Sequence, residues 1–254
     1  MEELQRIEAR KAAVPPIKRY DLDVQPRRRP DWTASQGELT GYAWIDRFSK
    51  LADNPDADCG FVKRKVFFTI EHGQSRVAAG GLKIWRGVQH EDVYFALDTF
   101  VEHGDRWSNS EYDTALAVAT VWGGKNEETW SWEQAPFCCG DLCVFERLTI
   151  DAKTASHSDA TWMIINSLLQ RLCRRDMAAI VLKAFPLEYE GNATKENRAA
   201  FERRRRALVR LYQRRLGFEP VSDPSLAREG WMLKLINDGA KPELSHTALT
   251  GSSL

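Results

Sequence analysis

The sequence predicts an α/β fold in which a mixed central β-sheet is flanked by helices. Two β-rich runs, Lys65 to Glu71 and Arg76 to Trp85, are joined by His72-Gly73-Gln74-Ser75, a pattern typical of a β-hairpin. From Leu142 onward the pattern changes to strand–helix–strand–helix–strand, which is typical of strands connected by crossover helices. The chain has 254 residues, of which 43% are hydrophobic, so it can bury a sizeable core.

The start of the chain is predicted to be an extension over the surface of the domain, residues 1–40. It contains a short charged helix, Glu2 to Ala13, which Pro15 and Pro16 stop, and a short strand, Ile17 to Val24. The next segment, Gly41 to Leu51, is predicted to be a helix because its apolar residues recur at helical spacing. These residues are Tyr42, Trp44, Ile45, Phe48 and Leu51.

The middle of the chain adds one apolar run and one helix. Val93 to Val101 is predicted to continue the sheet after the hairpin. Glu111 to Trp122 is rich in Ala, Val and Leu and predicts a helix that stops at Gly123-Gly124. Lys125 to Pro136, with its two tryptophans, is predicted to be a loop.

The second half alternates strands and helices, and it predicts the most regular part of the fold. The spacing predicts strands at Leu142 to Ile150, Met177 to Phe185 and Trp231 to Ile236, with helices at Ser158 to Arg175 and Glu196 to Leu216. Gly217 follows the second helix at the position where a left-handed residue commonly ends one. We therefore expect one domain over residues 41–240, followed by a tail over residues 241–254.

Composition and charge restrict the classes of function. Lys plus Arg and Asp plus Glu both number 36, so the whole chain offers no electrostatic argument for nucleic acid or for an anionic membrane. No stretch approaches the ~20 apolar residues of a membrane helix. The five cysteines are odd in number and irregularly spaced, which predicts free thiols in a reducing cytoplasm and no zinc site.

Three segments in the second half resemble the GNAT family of acyl-CoA-dependent N-acyltransferases. The stretch Leu208 to Glu219, with Tyr212 and Gly217-Phe218, resembles the family's "lYxxxGFe" signature. Thr149-Ile150-Asp151, a gap and then Thr161 to Leu169 look like the family's strand 4, its pyrophosphate loop and the following helix. Val181 to Leu187 is similar to strand 5 of a bacterial branch with an "LKPFPL"-like ending.

The resemblance implies a GNAT-like fold and transfer of an acetyl group from acetyl-CoA to an amine, with both substrates bound at once on opposite sides of splayed strands 4 and 5. It implies that Leu148 and Ile150 supply backbone groups to the pantetheine arm, and that a loop cradles the pyrophosphate through its N–H groups. The family's loop is typically Arg/Gln-x-x-Gly-x-Gly/Ala. Here only the last small residue survives, and Asp159 would repel a phosphate. The matching residues are Ala155, Ser156, His157, Ser158, Asp159 and Ala160.

Two side chains are the candidates for catalysis. The resemblance implies that Tyr212 protonates the departing sulfur, although an amphipathic tyrosine on an apolar stripe could equally serve packing. Glu146 interrupts an apolar strand, so it either faces outward in an ion pair, for example with Arg147, or points into the cleft as a general base. Asp98 and Glu71 are weaker base candidates, and an acidic residue that the family branch carries before a helix corresponds to Asp98 or Asp113.

Other readings of the sequence remain open. The altered loop is compatible with a catalytically inactive interaction module of the same fold. Arg203 to Arg206 begin a basic helix face that is compatible with RNA binding, for instance acetylation of a charged tRNA. The identity of the amine acceptor is not readable, and a homodimer is the default expectation for a soluble enzyme.

Overall fold

The computed structural model describes residues 29–50, 61–87, 99–101, 109–123, 136–137, 140–151, 158–173, 177–189 and 197–236. Nine strands form one mixed sheet within these ranges. The strands are β1 Trp32–Gln36, β2 Leu39–Ile45, β3 Ser49–Lys50, β4 Phe61–His72, β5 Ser75–Gly87, β6 Asp141–Ile150, β7 Met177–Lys183, β8 Glu219–Pro220 and β9 Trp231–Leu235. The helices are α1 Asn109–Gly123, α2 Ser158–Leu172, α3 Arg198–Leu216 and α4 Pro224–Glu229, with a 3-10 turn at Leu187–Tyr189.

The order of strands across the sheet is β1-β2-β4-β5-β6-β7-β9-β8, with β3 paired to β4. Each described ladder is antiparallel except that between β6 and β7, which is parallel. A parallel pair requires a crossover connection, and α2 supplies it. The expectation of a mixed sheet flanked by helices is confirmed.

The helices cover the two faces of the sheet unequally. On one face, α2 and α3 pack against the core formed by alternate residues of the strands, such as Val66, Phe68 and Ile70 of β4. On the other face, α1 packs Ala115 and Val118 against the sheet. The central strand β7 is buried along six of its seven residues, because both faces are covered there.

Most elements predicted from the sequence are confirmed, with shifts of a few residues at their ends. The hairpin closes at Gly73, whose φ of 60° is in the left-handed region. Gly217 ends α3 with φ 70° and ψ 32°, and its N–H bonds back to the helix, as its position predicted. The strand predicted to end at Phe185 ends at Lys183.

The helix predicted at Gly41 to Leu51 is wrong, because this segment contains strand β2. Leu39, Gly41 and Ala43 are buried in alternation, which is the period of a strand. Gly37, with φ 59°, makes the tight turn that pairs β2 with β1. The aromatic residues that gave helical spacing favour strands. The sheet consequently begins at Trp32, inside the segment assigned to the extension.

The prediction that Val93 to Val101 continues the sheet is wrong where the structure describes it, since residues 99–101 are helical. Both edges of β5 are occupied, by β4 and β6, so the chain after the hairpin has no edge of β5 to join. Phe100 instead packs on the face of the sheet, with its ring 5.3 Å from that of Trp85. The predicted elements before residue 29, and the loop Lys125 to Ala135, lie outside the described residues.

Candidate functional site

An opening lies between β6 and β7, where the parallel ladder stops. The ladder runs from Asp141 and Met177 to Phe145 and Leu182, and no later residue of β6 pairs with β7 in the described chain. The N–H of Asp151 bonds to Val77 of β5. Because N–H directions alternate along a strand, the N–H groups of Leu148 and Ile150 point to the side facing the opening.

A β-bulge lies at the mouth of this opening. Gly81 of β5 pairs with Arg147, whereas the next residue, Leu82, pairs with Phe145, so Glu146 is the extra residue in β6. A bulge bends its strand and redirects a side chain. Glu146 lies on the α1 face, as the alternation of Leu142 and Val144 along β6 dictates, and the bulge brings Arg147 to that same face. Both residues line a cavity.

The cavity lies between the sheet and α1 and has a volume of about 240 Å³. Its walls are largely aromatic, and its charged residues come from β5, α1, β6 and β7. The aromatic residues are Phe67, Trp85, Phe100, Phe145, Phe185 and Trp231, and the charged ones are Lys83, Glu111, Asp113, Glu146, Arg147 and Lys183. A mostly apolar cavity with a few convergent polar groups is the usual form of a small-molecule site.

Lys83 is the centre of a buried charge cluster in this cavity. Its Nζ lies 2.8 Å from Glu111 Oε1 and 2.5 Å from Glu146 Oε1, and Lys63 Nζ lies 3.1 Å from Glu111 Oε1. The side chains of Lys83, Glu111 and Glu146 are 6%, 9% and 23% exposed. We call Lys63, Lys83, Glu111 and Glu146 the Lys83 cluster. Its two positive and two negative charges balance.

The pKa values follow from this pairing. Burial disfavours the ammonium of Lys83, but Glu146 and Glu111 outweigh burial and raise its pKa above the ordinary value. Burial likewise disfavours the carboxylate of Glu111, but Lys83 and Lys63 outweigh it and lower that pKa. Lys83 and Glu111 therefore hold their charges near neutral pH, and Glu111 anchors the first turn of α1 to the sheet.

Tyr212 lies on the opposite face of the sheet. It packs against the core cluster that contains Phe145 and Leu182, the pair at which the ladder stops. Its ring meets that of Trp162 edge-on, with centroids 6.5 Å apart. Burial raises the pKa of Tyr212 to about 12, so its hydroxyl remains protonated at neutral pH.

The N-terminus of α2 brings an acidic and a basic side chain together. Asp159 Oδ1 accepts a hydrogen bond of 2.6 Å from Arg215 Nη1 of α3. This contact offsets the negative charge that the sequence places in the first turn of α2. Ala160 is half-buried beside the core. Residues Ala155, Ser156 and His157, and the side chain of Ser158, lie outside the described part of the chain.

The structure therefore brings together some of the predicted site residues and separates others. Glu146 points into a cavity, and its ion pair is with Lys83. Leu148 is half-buried against the core, whereas Ile150 is 37% exposed. Glu71 lies at the turn end of β4, away from the described cavity lining, and Asp98 is not in the described ranges.

Lys83 and Glu111 were not singled out from the sequence. The sequence does contain a sign that Lys83 is paired, because this lysine lies inside the apolar run Val77 to Trp85. A lysine is almost never fully buried without a partner of opposite charge. The partners cannot be read in the same way, since Glu111 lies 28 residues away on a helix.

Two cysteines meet in the core without a disulfide. The buried thiol of Cys143 is hydrogen-bonded to Cys173, and this contact together with burial raises the pKa of Cys143. The described residues contain no group of three or more metal-ligating side chains. Cys59, Cys138 and Cys139 are not in the described ranges.

No family model, curated protein or solved structure matches the chain in the three comparisons made. In the parts of the chain that the structure describes, no helix has the length and apolar character needed to cross a membrane.

Proposed function

We propose that the protein is an N-acyltransferase of GNAT type that transfers an acetyl group from acetyl-CoA directly to an amine. The opening between β6 and β7 is the observation that carries the proposal. It supports the proposal because the sequence resemblance implies splayed strands 4 and 5. Tyr212 lies on the α2–α3 side of the sheet, and the cavity that contains Glu146 lies on the other side.

The α2–α3 face would receive the acyl donor. The N–H groups of Leu148 and Ile150 that face the opening suit the amides of the pantetheine arm, and the exposed side chain of Ile150 offers it an apolar surface. The N-terminus of α2 suits the pyrophosphate. Arg215 supplies there the cation that the altered loop lacks, since its contact with Asp159 is on the surface and can be exchanged for a phosphate.

The cavity on the α1 face would receive the amine. In the reaction the amine nitrogen forms a bond to the thioester carbon, and the bond from that carbon to sulfur breaks. Glu146 would take the proton released by the amine: Lys83 contacts its Oε1, and no described residue bonds to its Oε2. Tyr212 would give its proton to the departing thiolate.

Lys83 would act as a positioning residue. It holds Glu146 at the bulge and links it to Glu111 on α1, so the carboxylate and the cavity wall keep one geometry. Acyl transfer in a cavity of about 240 Å³ with aromatic walls favours a small amine with an apolar body.

The proposal is tested first by calorimetric titration with acetyl-CoA and with free CoA. Micromolar binding is expected. Ala160→Glu should abolish binding, because it places a negative charge in the first turn of α2, where the pyrophosphate would lie. Met163→Glu is the matched control: it adds the same charge to the same helix at a side chain that is 54% exposed, and it should keep the affinity.

Absence of binding up to millimolar ligand would refute the proposal. The alternative of an inactive interaction module of the same fold would then be preferred. Equal losses in Ala160→Glu and Met163→Glu would place the pyrophosphate elsewhere than at α2.

A further inference from the structure

A concave groove lies between α3 and α4, apart from the cavity under α1. Its volume is about 740 Å³, and its floor includes Val209 and Ala227. Five arginines line it: Arg198, Arg205, Arg206, Arg210 and Arg228. Helix α3 as a whole carries eight arginines and one glutamate, so it is strongly positive although the net charge of the whole chain is zero.

The arginines on α3 are spread along the groove. From Arg198 to Arg210 the helix rises by roughly 18 Å at 1.5 Å per residue. A single phosphate or carboxylate could reach only part of this length. The groove therefore fits an extended ligand with several anionic groups along it.

One arginine is held in place by its neighbours. Arg205 is ion-paired with Glu202, and its guanidinium lies 5.4 Å from the centre of the Phe201 ring. Its stem passes close to Gly230, where a Cβ atom would lie 3.1 Å from Arg205 Cδ, and Gly230 has a φ of 92°. Arg205 thus forms a fixed wall, with its charge offset by Glu202.

The other arginines of the groove are available to a ligand. Arg198, Arg206, Arg210 and Arg228 are exposed. Within the described chain no ion pair involves any of the four, and Arg228 Nε donates a hydrogen bond to the backbone carbonyl of Pro224. Arginine's planar fork binds phosphate in a bidentate manner, which makes four such groups a phosphate-binding row.

We propose that this groove binds the sugar–phosphate backbone of a nucleic acid. The chemistry favours backbone contacts over recognition of bases, because no aromatic side chain lines the groove among the described residues, and stacking platforms are what bind single-stranded bases. Binding is therefore salt-dependent and nearly independent of sequence.

An ion pair links the groove to the cavity. Glu229 lines the groove and pairs at 3.1 Å with Lys183, which lines the cavity and lies 5.1 Å from the Trp231 ring centre. A nucleic acid in the groove would thus lie beside an ion pair that also borders the proposed acceptor site. The binding itself goes beyond the proposed acyl transfer and does not depend on it.

The test is fluorescence anisotropy of the full chain with a labelled RNA of mixed sequence, without acetyl-CoA. With about four phosphate contacts, the plot of log affinity against log salt should have a slope of about −3. Arg206→Glu with Arg210→Glu should weaken binding about tenfold or more and flatten the slope. Arg203→Glu with Arg214→Glu makes the same change of charge at exposed sites of α3 outside the groove lining, and it should cost about threefold or less.

Glu202→Gln provides a test that misfolding cannot imitate. It removes an anion from the groove and releases Arg205, so it should strengthen RNA binding by about threefold. No binding of RNA at about 50 mM salt, or equal losses in the two double variants, would overturn the proposal. The proposal would also be overturned if polyglutamate at an equal concentration of charge displaced the RNA, because the groove would then be assigned to an acidic peptide.

Discussion

The two faces of the sheet are built on different principles. The face under α2 and α3 is continuous aliphatic and aromatic packing, in which Ile165, Leu168 and Phe218 are almost wholly buried. The face under α1 has apolar packing too, but it also contains the Lys83 cluster and a cavity beside it. The α2–α3 face is thus filled by apolar side chains, whereas the α1 face buries charged side chains.

This difference indicates where function is to be sought. Apolar packing stabilises a fold by removing surface from water, at about 25 cal/mol per Å². A buried ion pair gains little over apolar residues of the same shape, because desolvation offsets the attraction. The Lys83 cluster is therefore better explained as fixing the geometry of Glu146 and α1 than as stabilising the domain.

Lys83→Met should produce the largest effect on stability. It leaves Glu111 and Glu146 without the cation between them, and removal of one partner of a buried pair costs about 3–5 kcal/mol. Denaturant unfolding at pH 7 measures the loss. A loss of less than about 1 kcal/mol would show that the cluster is hydrated and open to solvent.

The pH dependence separates charge from packing in this variant. In the native protein the pKa of Glu111 is lowered, so its stabilising contribution is present above its unfolded value of 4.5 and is lost as pH falls toward the lower folded value. In Lys83→Met the sign reverses, since protonation of the carboxylates relieves their repulsion. The destabilisation relative to the native protein should thus shrink between pH 7 and pH 4. Denaturant unfolding of both proteins at each pH measures it.

Leu168→Ala probes the other face and should cost about 3 kcal/mol. Leu168 is 1% exposed in the core under α2, and the substitution leaves a cavity there. The same denaturant experiment measures it, and the loss should be independent of pH between 4 and 7. A loss that shrinks on acidification as in Lys83→Met would remove the distinction between the faces.

Tyr212→Phe tests the donor side of the opening and depends on the proposed function. Loss of a general acid should lower turnover by about a hundredfold while the affinity for acetyl-CoA, measured by calorimetry, stays nearly unchanged. The phenylalanine keeps the edge-on contact with Trp162. An unchanged rate with a good acceptor would leave Tyr212 with a packing role alone.

Arg215→Ala should have the smallest effect on stability. Its contact with Asp159 lies on the surface, with side chains 40% and 80% exposed, and such pairs contribute about 0–1 kcal/mol. Affinity for acetyl-CoA should fall by about tenfold if Arg215 serves the pyrophosphate. Arg214→Ala is the matched control, because this arginine is next in sequence and exposed, and it should change neither property.

The elements of the second half could be predicted because each has a clear local pattern. Helix α3 has an apolar stripe and Gly217 at its end, and β7 is a short apolar run between breakers. The segment at Gly41 was assigned wrongly because its large apolar residues recur at helical spacing, whereas the strand alternation is carried by Leu39, Gly41 and Ala43. Only the pairing with β1 and β4 settles that choice.

The candidate site was predicted less completely than the fold. Glu146 could be noticed because it interrupts an apolar strand, and its two possible environments were an outward ion pair and the cleft. The structure combines them, because Glu146 is ion-paired and lines the cavity, but with Lys83 and not Arg147. The face of Glu146 follows from the alternation along β6, but its partner Lys83 lies on another strand. The bulge that also places Arg147 in the cavity lining depends on the register between β5 and β6.

The sequence by itself determined the strand–helix order of the second half, the hairpin and the resemblance on which the proposed function rests. These depend on periodicity and turn residues, which act within about ten residues of chain. Tertiary structure alone decided the start of the sheet at β1, the bulge at Glu146, the Lys83 cluster and the groove between α3 and α4. Each of these depends on contacts between elements distant in sequence, and the energies of burial and charge pairing that select them exist only once those elements have packed.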